Sequence, residues 1–157
     1  MAVIRTITSA NLIYMISVAG LFSAPVRLEG YSVDDAFSSG EVNHAELQLG
    51  VDAQVGAGYI PALIPQKFMF LASSPSIDIF ETWGRTNSQQ LETLTAQGTA
   101  FFPATGKSYT CIDGFLTGYS PMPDAKKVLG PRPFTVTWSD IQPAPYAPAP
   151  LTLSLSV

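Results

Sequence analysis

His44 is the only histidine of the chain, and Glu41 and Glu46 flank it. An imidazole between two carboxylates is a donor set suited to a divalent cation. Side chains alternate along a strand, so His44 and Glu46 share one face while Glu41 takes the other. The set does not converge, and His44 reads as a surface residue. Without it no Ser-His-Asp or Cys-His relay can be assembled. Asp34 and Asp35 are adjacent, but an acid/base pair needs carboxylates that meet in one pocket, and strand neighbours diverge. Cys111 is the one cysteine, which excludes an internal disulfide and any multi-cysteine metal site. It sits in Tyr109-Thr110-Cys111-Ile112 with no basic neighbour to stabilise a thiolate, so it reads as a small buried hydrophobe. There is no Walker loop, Gly-x-Gly-x-x-Gly or nucleophile elbow, and Gly56-Ala57-Gly58 lacks the strand-to-helix setting of a phosphate cradle. These residues predict no catalytic centre, no metal and no cofactor.

The elements around these residues point to assembly instead. Charged residues make up 13 % of the 157, against roughly 25 % in an average globular chain. Together with thirteen prolines, that implies a surface covered in part by partners or stiff loops. The net charge is −4, and no base lies between Arg27 and Lys67, where Glu29, Asp34, Asp35, Glu41, Glu46 and Asp52 stand. Lys126, Lys127 and Arg132 cluster later. No basic stripe exists for gripping phosphates. The acidic segment is either a solvated loop or a surface that repels nucleic acid, as a conduit would. Leu12–Phe22 is apolar, but Asn11, Ser17 and Gly20 interrupt it and it is too short to span a bilayer. With Arg5 as the one early base and Pro25 after Ala24, it reads as a buried strand turning near Ala19-Gly20, not as a leader or membrane segment.

Strands are predicted at Ala2–Thr8, Leu12–Val18, Val26–Tyr31 and Glu41–Leu49, followed by a small-residue segment, Gly50–Gly58. That segment (Gly50, Val51, Gly56 and Gly58 in particular) is either a floppy loop or an arm that orders against a neighbour. Lys67–Leu71 alternates with apolar residues on both faces, which predicts burial from two sides. Ser74 is suited to an N-cap and Pro75 to the first helical position, with Asp78 and Glu81 favoured by the helix dipole. Ile77, Phe80 and Gly84, with Trp83 adjoining, form the apolar stripe of a helix over about residues 75–90. A β-meander is predicted next: Thr99–Phe102, then Lys107–Ile112, with Asp113-Gly114 turning into Phe115–Tyr119, and Phe134–Trp138 last. The aromatics Tyr109, Phe115, Tyr119, Trp83 and Trp138 are either core or a platform for a glycan. Residues 143–150 read as a proline-stiffened linker, and Leu151, Leu153, Leu155 and Val157 alternate with polar residues as a strand seeking a sheet edge, its own or a neighbour's.

The order of elements resembles the tail-tube family of contractile-tailed bacteriophages, with its tube-initiator and baseplate-proximal members. Carrying it are an N-terminal strand group, a long acidic hairpin region, Phe68-Met69-Phe70-Leu71-Ala72-Ser73-Ser74-Pro75 leading into a helix, and a meander closing on Phe134-Thr135-Val136-Thr137-Trp138. The likeness covers about residues 10 to 140 and rests on patterns, not on an invariant signature. It implies a mainly β fold, a β-sandwich or partial barrel with one flanking helix: a tail-tube-like domain over 1–142, a linker over 143–150 and a strand arm over 151–157. It further implies a structural, non-enzymatic virion protein assembled in the bacterial cytoplasm, six copies of which ring a channel for viral DNA that passes without specific binding. Asp34, Asp35, Glu41, Glu46 and Asp52 would face that lumen, the Gly50–Gly58 arm the next ring, and tube, sheath or baseplate proteins would adjoin. The proline tether is unlike a plain tube subunit and suggests an initiator, terminator or connector ring. The alternative is a β-sandwich module that binds a glycan or receptor through its aromatics.

Overall fold

In a computed structural model, residues 12–32 and 36–145 are described. Nine strands and one helix follow in chain order: β1 (Ile13–Val18), β2 (Phe22–Arg27), β3 (Phe37–Ser39), β4 (Ala45–Leu49), β5 (Val55–Tyr59), β6 (Ile64–Phe70), α1 (Ser76–Gln90), β7 (Ala96–Phe102), β8 (Lys107–Tyr119) and β9 (Arg132–Pro145). Seven strands form one antiparallel sheet in the order β2-β1-β7-β8-β9-β6-β3, and β4 and β5 form a separate two-stranded hairpin. The sheet curls until its ends approach. Tyr14 of β1 packs edge-on against Phe37 of β3, ring centroids 5.4 Å apart, and against Phe68 of β6 at 5.1 Å. The fold is therefore the partial-barrel form of the expected mainly β class.

The core lines the concave side, where alternation puts Tyr14, Ile16 and Val18, then Phe68 and Phe70, then Phe134, Val136 and Trp138. Helix α1 closes one end of the curl with Ile77, Phe80 and Trp83, and Phe80 stacks on Phe134 at 4.9 Å. The helix starts one residue later than its cap signal suggests. Pro75 already has helical angles, and the Ser74 hydroxyl accepts the Ser76 amide at 3.2 Å. Leu91, with φ 54°, takes the left-handed turn that ends it, while the Asn87 side chain accepts the Leu94 amide at 3.1 Å. At the heart of the core Gln66 is nearly inaccessible, and its Oε1 accepts from the Tyr14 hydroxyl at 2.8 Å and the Trp138 indole at 2.9 Å.

Several sequence expectations change. Asp113-Gly114 does not turn: β8 runs straight through it as one strand, and the pair forms a bulge against β7. Bulges and tight turns both use a residue at positive φ, here Asp113 at 47°, so the dipeptide alone does not separate them. The bulge is held by Gln97, whose Nε2 donates to Asp113 Oδ1 at 2.8 Å and whose Oε1 accepts the Asp113 amide at 3.3 Å. Glycine is required beside it, because a Cβ on Gly114 would lie 2.4 Å from the Trp138 ring. The meander therefore has three strands, β7-β8-β9. Leu71 is exposed and Met69 only half-buried, so β6 is covered on one face within the single chain. Strand β9 runs on through Pro143 and Pro145, which pair with Tyr109 and Lys107 of β8, so the sheet reaches three residues into the segment read as linker. Beyond Trp138, β6 no longer flanks β9, and proline is tolerated on a strand with one unpaired side. The predicted Ala2–Thr8 strand and the arm at 151–157 lie outside the described residues.

Candidate functional site

Among the described residues the interior brings no reactive groups together. Cys111 is buried, with Tyr14 Oη 3.3 Å from its sulfur; burial raises its pKa above the ordinary 9.0, partly offset by that contact. Burial likewise raises Tyr14 and Tyr31, with nearby Arg27 opposing the rise at Tyr31. A cavity of about 420 Å³ opens at the end of the curl opposite the helix, lined by Phe37, Ile64, Gln66, Phe102, Cys111 and Ile141. It contains neither a general base nor a metal-ligating pair. Among the described residues no three His, Cys, Asp or Glu gather to hold a metal, and no helix is long and apolar enough to cross a membrane. His44 is exposed, its carbonyl accepting the Ile60 amide at 3.0 Å.

Of the aromatics expected as either core or platform, the two tryptophans are core and the three others are only partly covered. Trp83 and Trp138 are wholly buried, Tyr109 and Phe115 are partly covered, and Tyr119 is exposed on one side while its other face stacks on Phe134 with the rings 7° from parallel. Among the described residues no exposed aromatic row crosses the sheet, which removes the motive for a glycan platform.

The unusual surface is the β4–β5 hairpin. The segment read as loop or arm is one half of it. Residues 50–54 make the turn, closed by the Gly50 amide donating to the Gln54 carbonyl at 2.8 Å, and Val55–Tyr59 pairs back along Ala45–Leu49. Every residue of both strands is exposed. Facing partners share a side, so Leu47↔Ala57, Leu49↔Val55 and Ala45↔Tyr59 make one apolar face, and Glu46↔Gly58 and Gln48↔Gly56 make the other. Leu47, Leu49, Val55 and Tyr59 are each at least 64 % exposed, and Val51 at the turn is wholly so. A two-stranded hairpin is at best marginally stable alone in water, and an apolar face left open marks a contact surface.

Of the five acids expected together, Asp34 and Asp35 lie outside the described residues. Glu41 precedes the hairpin, Glu46 is on its polar face and Asp52 is in its turn, all exposed. The four positions of the expected arm separate: Gly50 and Val51 belong to the turn, while Gly56 and Gly58 are in β5 beneath Gln48 and Glu46. Leu151, Leu153, Leu155 and Val157 lie outside the described residues. Sequence reading missed the apolar face. The signal was there in the mirror alternation of Ala45, Leu47, Leu49 with Val55, Ala57, Tyr59 about a five-residue turn, masked by the glycines that dilute β5.

A second exposed apolar site is the 120–131 loop between β8 and β9. Met122, Val128 and Leu129 project from it beside Lys126 and Lys127. A bridge between Ala125 and Leu129 and the Gly130 amide bond to the Asp124 carbonyl, 3.1 Å, give the loop its shape. At its root the buried Arg132 donates to the Ser120 carbonyl at 2.6 Å, pairs with Glu81 of α1 and lies over the Phe134 ring.

The sequence profile of the family described as tail fiber protein gp32 matches residues 5–142. No curated protein sequence matches the chain. Several solved structures share its fold. One is a chain of the anti-feeding prophage baseplate, 6-fold symmetrised, at 9 % identity and TM-score 0.55, covering 92 % of this chain and 98 % of that one. Another is the anti-feeding prophage cap that terminates its tube, at 12 % identity and TM-score 0.60 over 92 % and 95 % of the two chains. A third comes from the sheath/tube terminator of the PVC extracellular contractile injection system in its extended state, at 11 % identity and TM-score 0.57 over 91 % and 99 %.

Proposed function

We propose that this chain, which belongs to the tail fiber protein gp32 family, is a non-enzymatic structural protein that forms a ring at one end of a contractile phage tail. The observation that carries the reading is the β4–β5 hairpin, exposed on both faces and apolar on one. Such an element is completed by a neighbouring subunit. A closed ring also covers the free edges of the curled sheet at β2 and β3, which would otherwise template aggregation.

In this reading six copies surround a channel for viral DNA, in a virion whose tail assembles in the bacterial cytoplasm. Each hairpin turns Glu46 toward the lumen, with Glu41 and Asp52 near it, so the wall repels the phosphate backbone and lets it slide. Asp34 and Asp35 add to the same charge. The same fold occurs in a baseplate, a cap, a tube terminator and a sheath-tube complex, so the likeness supports a place in a contractile tail, and it is the proline-rich segment that favours an end ring. The proline-rich segment and the alternation of Leu151, Leu153, Leu155 and Val157 supply a strand for the sheet edge of an adjoining tube, sheath or baseplate subunit. Since β9 continues to Pro145, the arm is best tested by ending the chain there.

Electron microscopy of the purified chain and of tails containing it tests the reading. Sixfold rings with the hairpins inward are expected. A chain that remains a compact monomer at every concentration and is absent from tails overturns it.

A further inference from the structure

Two apolar tips lie at opposite ends of the same strand pair. The hairpin joins the sheet where Ile64 meets Trp138, and the 120–131 loop leaves it where Phe70 meets Arg132. Between them β6 runs seven residues, a span of about 20 Å at strand rise. The tips therefore cannot satisfy one another within a chain, yet each has what the other lacks. The hairpin tip presents Leu49, Val51 and Val55 with the carboxylate of Asp52, and no lysine or arginine occurs from residue 41 to 63. The loop tip presents Val128 and Leu129 with the ammonium groups of Lys126 and Lys127, which outnumber the loop's one carboxylate, Asp124.

We infer that the hairpin tip of one copy docks on the 120–131 loop of a second copy, head to tail. The inference rests on the assembly reading above and names the contact that reading leaves open. Apolar burial supplies the attraction, and the opposed charges set the partner and its register, since like charges brought together at the same place would exclude tip-to-tip or loop-to-loop pairing. The contact is heterologous. Such a contact closes into a ring where its rotation divides a full turn and otherwise continues as a stack. The receiving loop is suited to the task, because Arg132 ties its root to Ser120 and Glu81 while the Ala125–Leu129 bridge and the Gly130–Asp124 bond close the backbone that carries the lysines, so its shape is set before the partner arrives.

The experiment is a charge-reversal cycle on the full chain, read by sedimentation velocity and negative-stain microscopy. Lys126→Glu with Lys127→Glu is expected to weaken self-association by about tenfold or more, as is Asp52→Lys. Combining all three on one chain is expected to restore it to within about threefold, because the pairing is then reversed and not lost. A short bismaleimide should join a Val51→Cys chain to a Val128→Cys chain in a mixture, and should join neither variant to itself. Rings that persist unchanged through the single reversals, or cross-linking of either cysteine variant to its own kind, overturn this contact and leave the ring reading standing. A wild-type chain that never associates overturns both.

Discussion

Helix α1 and the β4–β5 hairpin are both amphipathic, yet the chain treats them in opposite ways. The helix sinks Ile77, Phe80 and Trp83 into its own sheet, while the hairpin holds Leu47, Leu49, Val55 and Tyr59 out to solvent. The difference is one of supply. The concave side of the curled sheet offers Phe68, Phe70 and Phe134 to the helix, and among the described residues no element covers the hairpin's exposed faces. A pattern of alternation thus says that a face will be covered but not whether the cover is internal. Stability should be concentrated at the helix end and assembly at the hairpin end, and four substitutions or titrations bear on that division.

The largest effect is expected at the helix end. Phe80→Ala empties a site packed by Phe68, Phe70, Trp83 and Phe134 and should cost about 3–5 kcal/mol in urea unfolding. If it left the midpoint unchanged, the helix would not be part of the folding unit. Next is Gly114→Ala, at the other end of the core, which drives a methyl into the Trp138 indole and should cost about 1–3 kcal/mol. A wild-type denaturation curve for that variant would mean the bulge has room to give. Alkaline pH should act on the core as a whole. Cys111, Tyr14 and Tyr31 all have folded pKa values above their ordinary 9.0 and 10.0. The folded state therefore holds protons that the unfolded state releases, so their contribution is complete below about pH 8.5 and falls as pH rises beyond it. Melting temperature against pH should be flat through neutrality and decline in that range, with Cys111→Ala moving the onset toward the tyrosines. The smallest effect on stability belongs to Leu47→Ser with Leu49→Ser, within about 0.5 kcal/mol of wild type. The same pair should abolish assembly, and a double variant that assembles normally would erase the distinction drawn between the two ends.

How much of this was legible follows from how local each signal is. Strand β6 and the helix after it could be read from Lys67–Phe70 and from Ser74-Pro75, because alternation and cap chemistry act over a few residues. The Asp113-Gly114 bulge was misread as a turn because what decides it is Trp138, 24 residues beyond Gly114, lying where a Cβ would be. Gln66 gave no sign of its double acceptor role, since both its donors come from distant strands. Half of the hairpin was visible as Glu41–Leu49, but β5 was not, because Gly56, Ala57 and Gly58 carry little side chain to alternate. Of the candidate acids the structure brings Glu46 and Asp52 onto one exposed hairpin and keeps Glu41 at its approach.

Arg132 has a mechanical consequence. Its guanidinium gathers the start of β9, the Ser120 carbonyl at the end of β8 and Glu81 on the helix, all at the root of one protruding loop. Tension applied to that loop is shared among two strands and a helix, so it meets a stay and not a hinge. In a particle that transmits force from ring to ring, a subunit braced in this way would carry load into its densest region and spare the single strand end from peeling.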